Sequence, residues 1–256
     1  MTEDIQFTID GAIATITLNR PQKLNAVTPE MADAIVEAVK TCNDSDTIRC
    51  VILTGAGERA FCAGSDIRAL DTYETPWQFR NRPDYCDAFR ALLKPTICAV
   101  NGYAFGGGLE TAMSCDIRIA SENAQFAAPE IKLGWIGGGG MAAHLSHSIG
   151  ASNAALMLMT GDPISAERAL QWTLVSEVVS LAELLPRARA LAAIIASRAP
   201  IAAETAKLNL KAAVSMSIEK AIEYERDLQT ICFATADAAE GRLAFREKRQ
   251  PIFHRR

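Results

Sequence analysis

The chain shows two periodicities up to about residue 180 and only one afterwards. Residues 5–9 and 12–18 alternate apolar and polar positions around Asp10-Gly11. That pattern predicts two short strands joined by a type I′ hairpin. Thr28-Pro29 has the form of an N-cap followed by an N1 proline, and Met31, Ala34, Ile35, Ala38 and Val39 recur behind it at helical spacing. Residues 49–54 predict a dense apolar strand closed by Gly55-Ala56-Gly57. A strand at 96–101, a helix at 107–114 and strands at 116–120 and 125–127 follow. Strands linked through helices in this order predict an α/β core with a parallel sheet.

Beyond residue 180 the strand signal stops. Residues 181–197, 202–214, 218–231 and 236–248 all carry helical periodicity, with Pro200 separating the first two. A helical tail of roughly 60–70 residues cannot cover its own apolar faces, so it packs on the core or on another subunit. The expected organisation is a core over residues 1–195 and a C-terminal helical region over 196–256 that serves oligomerisation and covers the site.

At 256 residues and 49% hydrophobic, the chain can bury one substantial core. A formal net charge of −4 argues against nucleic acid as the main partner. The terminal basic cluster of Arg246, Lys248, Arg249, Arg255 and Arg256 reads as a solvated face. The first ten residues carry acids and no apolar run of the secretory kind. Apolar stretches such as 191–196 are too short to span a bilayer, so no membrane partner is expected. Seven cysteines, an odd count without a C-x-x-C pair, lie mostly in apolar segments. Reduced, buried thiols and a cytoplasmic or equivalent compartment follow.

The chemistry-bearing stretch is Gly106-Gly107-Gly108-Leu109-Glu110. Glycines opening onto a helix bring bare N–H groups and the positive end of the helix dipole to one point. Glu110 falls in the first helical turn, beside whatever those groups hold. The run 102–108 lacks the G-x-G-x-x-G spacing of a dinucleotide fingerprint and is followed by no Gly-Lys-Ser/Thr. A second loop, Phe61-Cys62-Ala63-Gly64-Ser65-Asp66, also turns sharply from strand to helix, so each loop can offer one N–H to a carbonyl oxygen. Glu130, 20 residues after Glu110, sits in apolar surroundings that raise a carboxyl pKa. Gly137-Gly138-Gly139-Gly140 reads equally as a connector or as backbone approaching a ligand. His144 and His147 share a helix face without a third ligand and read as structural. No G-x-S-x-G elbow is present.

Taken in order, these motifs resemble the crotonase, or enoyl-CoA hydratase/isomerase, superfamily. The resemblance runs through Asn19-Arg20-Pro21, Asn25-Ala26, residues 51–57, 60–67, 94–108 and 115–120, Pro129-Glu130-Ile131-Lys132-Leu133-Gly134, residues 160–166 and the stretch from Glu240 to Arg249. It implies a ClpP-like spiral of repeated ββα units, a C-terminal helical region, and trimers that often pair into hexamers. It also implies an acyl-CoA thioester ligand whose carbonyl sits between the N–H groups of Ser65 and Gly107. Ala63, Asp66, Ile67 and Arg68 are implied to line the coenzyme A path, Gly138 to approach the substrate, and Lys248 to reach the phosphates, from a neighbouring subunit if need be. Members resembling hydratases carry both glutamates, Glu110 activating water for attack at C3 and Glu130 protonating C2. No metal or redox cofactor is implied, coenzyme A being part of the substrate. The resemblance leaves open an isomerase, a specialised dehydratase or racemase, and a non-catalytic acyl-CoA-binding protein. Three departures fall near the acyl site: Gly137 for a common proline, Met141-Ala142-Ala143-His144 for a Gly-Thr-Gln-Arg-like run, and Ser65 for a frequent alanine.

Overall fold

The computed structural model describes residues 3–256; Met1 and Thr2, at the head of the N-terminal stretch read above, lie outside the described residues. Ten strands form two sheets. They are β1 (Ile5–Asp10), β2 (Ile13–Leu18), β3 (Cys50–Gly55), β4 (Ala60–Cys62), β5 (Thr96–Val100), β6 (Tyr103–Phe105), β7 (Ile117–Ser121), β8 (Gln125–Ala127), β9 (Ile164–Ser165) and β10 (Glu177–Val179). The larger sheet runs β1-β2-β3-β5-β7-β10 and the smaller β4-β6-β8-β9. Three successive strand pairs, β3/β4, β5/β6 and β7/β8, each give one strand to each sheet, and the chain thereby climbs as a spiral. Strands β2, β3, β5, β7 and β10 are mutually parallel, while β1 closes one edge antiparallel to β2.

The hairpin differs from the expected type. Asp10 pairs with Ile13, which leaves Gly11-Ala12 as the two-residue loop. Only Gly11 has a positive φ, +56°. A positive φ at the first central residue alone is the II′ arrangement. The I′ type would need Ala12 in the left-handed region too, and its Cβ disfavours that.

Helix α1 (Pro29–Asp44) starts as expected, with Thr28 Oγ1 accepting from the Met31 N–H at 3.3 Å. Its apolar stripe of Met31, Ile35, Ala38 and Cys42 enters the main core. Further along come α2 (Ile67–Leu70), α3 (Pro76–Arg80), α4 (Tyr85–Arg90), α5 (Gly107–Met113), α6 (Met141–Ile149), α7 (Ala151–Thr160) and α8 (Ala166–Gln171). The tail holds α9 (Leu181–Ala196), α10 (Pro200–Ser215), α11 (Ile218–Phe233) and α12 (Ala236–Glu247).

The larger sheet is buried on both faces, which explains why β3 and β5 read as unbroken apolar runs. Val51, Leu53, Cys98 and Val100 point into the main core. The alternate residues Cys50, Ile52, Ile97 and Ala99 lie under Leu184, Ala188 and Ala192 of α9. Helix α9 is therefore the cover of the sheet's second face. The helices after it bury little: on α10 only Pro200, Lys207 and Ala212, and on α11 only Leu228. Lys207 tethers α10 by donating to the Lys94 carbonyl at 2.9 Å and pairing with Asp116 at 2.9 Å.

Two buried asparagines hold the turn between β3 and β4. Asn25 donates to the carbonyls of Ala56 (3.0 Å) and Ala60 (2.8 Å) and accepts from the Arg20 N–H (2.9 Å). Asn101 accepts from the Gly55 N–H at 3.1 Å and donates to the Gly57 carbonyl at 2.7 Å. Backbone groups that no ladder reaches are thus paired by side chains. Replacing Asn25 with alanine removes three such bonds, takes the side-chain donor from the half-buried Ala56 carbonyl and leaves the Ala60 carbonyl with Asn101 as its side-chain donor. Asn25→Ala should lower unfolding free energy by about 2–4 kcal/mol, read as an earlier midpoint in urea denaturation.

Candidate active site

Both glycine loops meet as backbone against backbone. Strand β4 ends at Cys62, and residues 63–66 turn into α2, which Asp66 caps by accepting from the Arg68 N–H at 3.2 Å. Strand β6 ends at Phe105, and α5 begins at Gly107 behind Gly106, whose φ is +56°. A side chain on Gly108 would sit 2.0 Å from the Cys62 carbonyl oxygen, so only glycine permits this approach. One on Gly64 (φ +95°) would sit 3.1 Å from the Gly107 nitrogen.

Two N–H groups beside this contact stay free. Around Ser65, the Val27 N–H donates to the Gly64 carbonyl and the Asp66 N–H donates to the Val27 carbonyl. Ser65's own N–H must then face away from Val27, as in any parallel bridge. Neither the Ser65 nor the Gly107 N–H donates to an acceptor among the described residues. Gly107 is the first residue of α5, where a free N–H is expected and the helix dipole favours negative charge. Both unspent donors belong to residues that line one cleft.

Both glutamates lie on that cleft. Glu110 is 4% exposed and Glu130 9%. The cleft measures about 740 Å³, and Ala63, Ser65, Ile67, Gly107, Glu110, Glu130 and Gly138 are among its lining residues. Glu110 stands on α5, with its Oε1 accepting from the N–H groups of Gly139 (2.7 Å) and Met141 (3.1 Å). Glu130 stands on a 3-10 turn, Pro129–Leu133, that leads out of β8. Its Oε1 lies 2.9 Å from where a Cβ on Gly106 would stand, so the glycine turn makes room for the carboxyl. Glu130 Oε2 has no hydrogen-bond partner among the described residues.

Their electrostatics differ. Burial pushes the Glu110 carboxyl above the ordinary carboxylate range, the two N–H donors pull it back, and the nearby Glu130 charge raises it again. Burial also pushes Glu130 up, with only a backbone hydrogen bond opposing it. Burial thus holds both carboxyls above the ordinary range, and they differ in their partners: Glu110 Oε1 accepts two N–H donors, whereas Glu130 Oε2 accepts none among the described residues.

Comparison with known proteins agrees with this geometry. The family model described as enoyl-CoA hydratase/isomerase matches residues 8–256. The chain belongs to the enoyl-CoA hydratase/isomerase family. It is 36% identical over 254 residues to a crotonyl-CoA hydratase of Syntrophomonas wolfei, covering 98% of each chain. With a probable mitochondrial enoyl-CoA hydratase of Dictyostelium discoideum it shares 40% identity over 247 residues, 95% of this chain and 88% of that one. The crystal structure of enoyl-CoA hydratase from Bacillus anthracis superimposes with a TM-score of 0.94 at 32% identity, covering 99% of this chain and 100% of that one. The fold is the crotonase spiral.

Within this family member, three of the expected site residues stand outside the cleft lining. Asp66 turns underneath the loop, paired with Arg20 at 3.1 Å, and the guanidinium holds its carboxyl below the usual range. Arg68 is exposed on α2, and Lys248 is exposed at the C-terminal end of α12 with a φ of +55°. His144 packs beside Gly140, and burial lowers its pKa. Among the described residues, no three His, Cys, Asp or Glu side chains are grouped to hold a metal.

Helix α4 is what the sequence reading missed. Asp84 caps it by accepting from the Cys86 N–H at 2.8 Å, and it lays Tyr85 and Cys86 along the cleft. Arg90, at its end, donates to the Gly139 carbonyl, so α4 holds the same glycine whose N–H holds Glu110. The aspartate cap and the apolar positions 85, 86 and 89 were the available signal; at six residues it is too short to show a period.

Two predictions arise here. A methyl group on Gly139 would stand 2.7 Å from Glu110 Oε2 and 3.0 Å from Cys86 Sγ. Gly139→Ala should displace the carboxylate and lower kcat by an order of magnitude or more, about 1.4 kcal/mol per tenfold, while circular dichroism stays native. The second concerns pH. Because burial raises Glu130 in the folded state, the stability its neutral form provides is complete below the unfolded value. It is lost as pH rises through the folded value. Glu130→Gln, neutral throughout, should match the native protein in urea midpoint near about pH 4 and exceed it near about pH 8.

Proposed function

We infer that this chain is an enoyl-CoA hydratase that adds water reversibly across the 2,3 double bond of a 2-enoyl-CoA thioester. The observation carrying this reading is that two buried carboxyls and two residues with unspent backbone N–H groups line one cleft. The thioester oxygen accepts from the Ser65 and Gly107 N–H groups, and this polarises the conjugated double bond toward the oxygen. Ionised Glu110 takes a proton from water as the water oxygen bonds to C3. The displaced electron pair moves through C2 onto the thioester oxygen, where the two donors and the α5 dipole stabilise it. Collapse of that enolate draws the proton from the Glu130 carboxyl to C2. Glu110 ends protonated and Glu130 ionised, and exchange with solvent restores the pair.

The raised Glu130 carboxyl suits a proton donor near neutral pH. Paired N–H donors on Glu110 Oε1 leave Oε2 directed at water in a fixed orientation. Ala63, Ile67 and Gly138 flank the thioester in this reading. Asp66 acts by shaping its loop, and Arg68 and Lys248 serve the coenzyme A phosphates at the cleft's exterior.

A homotrimer, or a hexamer of two trimers, is proposed as the working assembly. Supporting it, α10–α12 leave Leu210, Val214, Ile218, Ile231, Phe233 and Phe245 exposed. Apolar positions in such number on a tail that buries little against its own core fit contact with other copies. A cytoplasmic or comparably reducing compartment suits seven free cysteines, six of them buried. Among the described residues, no helix is long and apolar enough to cross a membrane.

The test is hydration of crotonyl-CoA, followed as loss of the conjugated thioester absorbance. Glu110→Gln and Glu130→Gln should each cut kcat by roughly 10²–10⁴-fold, while binding of the saturated butyryl-CoA persists. Near-native rates in either variant would refute the two-carboxylate mechanism.

A further inference from the structure

Among the polar groups of the cleft that the hydration chemistry leaves idle is the hydroxyl of Tyr85. Its residue is 7% exposed, so the ring is core and only the hydroxyl end reaches the lining. The Oη lies 3.2 Å from Ser65 Oγ. It also presses on the second hole residue, since a methyl group on Gly107 would stand 2.1 Å from Oη. Tyr85 therefore touches both residues whose N–H groups face the cleft. Neither of those N–H groups donates to the phenol oxygen, so Tyr85 does not consume the hole. A phenol has one proton to give and two lone pairs to receive, and a serine hydroxyl at 3.2 Å uses only one of these capacities. Burial drives the phenol's pKa upward, so the hydroxyl keeps its proton at every working pH. Ser65 stands where relatives were expected to carry alanine, which would offer the phenol no partner.

We propose that the Tyr85 hydroxyl is a third donor to the thioester oxygen, with the Ser65 hydroxyl donating to the phenol oxygen behind it. The proposal rests on the reading of Ser65 and Gly107 as the oxyanion-binding pair. Three donors share the developing charge, and the outer Ser65 hydrogen bond strengthens the inner one by polarising it. Tyr85 is thus a catalytic residue, and the Ser65 side chain positions and polarises it, separately from the Ser65 backbone.

The decisive measurement uses bound butyryl-CoA carrying 13C at its thioester carbonyl, whose infrared stretch falls as hydrogen bonds to the oxygen multiply. The native protein should show a lowered stretch. Tyr85→Phe, which keeps the ring packing, should return part of that shift, and Ser65→Ala a smaller part. With crotonyl-CoA, Tyr85→Phe should lower kcat toward the lower end of the roughly 10²–10³-fold seen on losing an oxyanion donor, with KM little changed. A native-like stretch in Tyr85→Phe beside a lowered native stretch would overturn the tyrosine's role and leave the two-N–H hole intact. An unlowered stretch in the native protein itself would overturn both. Because butyryl-CoA does not react, the infrared result holds whatever the rate of hydration.

Discussion

The geometry of the cleft depends on two loops approaching closer than side chains allow. Gly108 lies against the Cys62 carbonyl, and Gly64 lies against the Gly107 nitrogen. That contact sets the distance between the Ser65 and Gly107 N–H groups, and it directs the start of α5 at the same point. Backbone donors suit this task because they have no rotamers to order and are already fixed by the strands that end beneath them. The sheets are the instrument of that fixation. Parallel strands β4 and β6 terminate side by side, and the segments leaving them cannot diverge without breaking the pairing.

The remainder of the site is arranged around this contact by successive layers. Glu110 is carried by the helix that the contact starts, and Glu130 by the turn that follows the next strand of the same small sheet. Each carboxyl is held by a glycine that leaves it room: Gly106 beside Glu130, and Gly137 and Gly139 beside Glu110. Helix α4 closes the arrangement from above. Arg90 fixes the Gly139 carbonyl and Lys211 of α10 donates to the Arg90 carbonyl at 2.6 Å, so the helical tail reaches the site through two side chains. Stability and activity pull in opposite directions at the two glutamates. Both carboxyls are buried for their chemistry and are costlier to ionise there than in water.

The surroundings of Gly137 explain what a glycine accommodates there. A Cβ there would stand 2.7 Å from Met141 Cβ and 2.8 Å from Glu110 Oε1. In this chain Met141 is buried and presents its N–H to Glu110, so the loop lies tightly over the carboxylate. Gly137, Gly139 and Met141 therefore pack together around Glu110. Ser65 and Tyr85 form a second group.

The sequence by itself determined the elements with long, uninterrupted periods. Helices α1 and α9–α12, the strands β3, β5, β7 and β8, and the glycine turn into α5 all follow from patterns within some twenty residues. The ordered motifs also carried the family and named both glutamates. Tertiary structure alone decided the rest. Three-residue strands such as β4 and β6 have too few positions to show a period, and the spiral repeat they build leaves no repeated sequence. The hairpin type turned on one residue's φ, which no alternation pattern encodes. The hydrogen bonds that orient Glu110 come from Gly139 and Met141, distant in sequence from it and reaching it only through the fold. Tyr85 was invisible as a site residue for the same reason. A buried tyrosine on a short helix looks like core until the loops are placed, and only the fold brings its hydroxyl against Ser65 and Gly107.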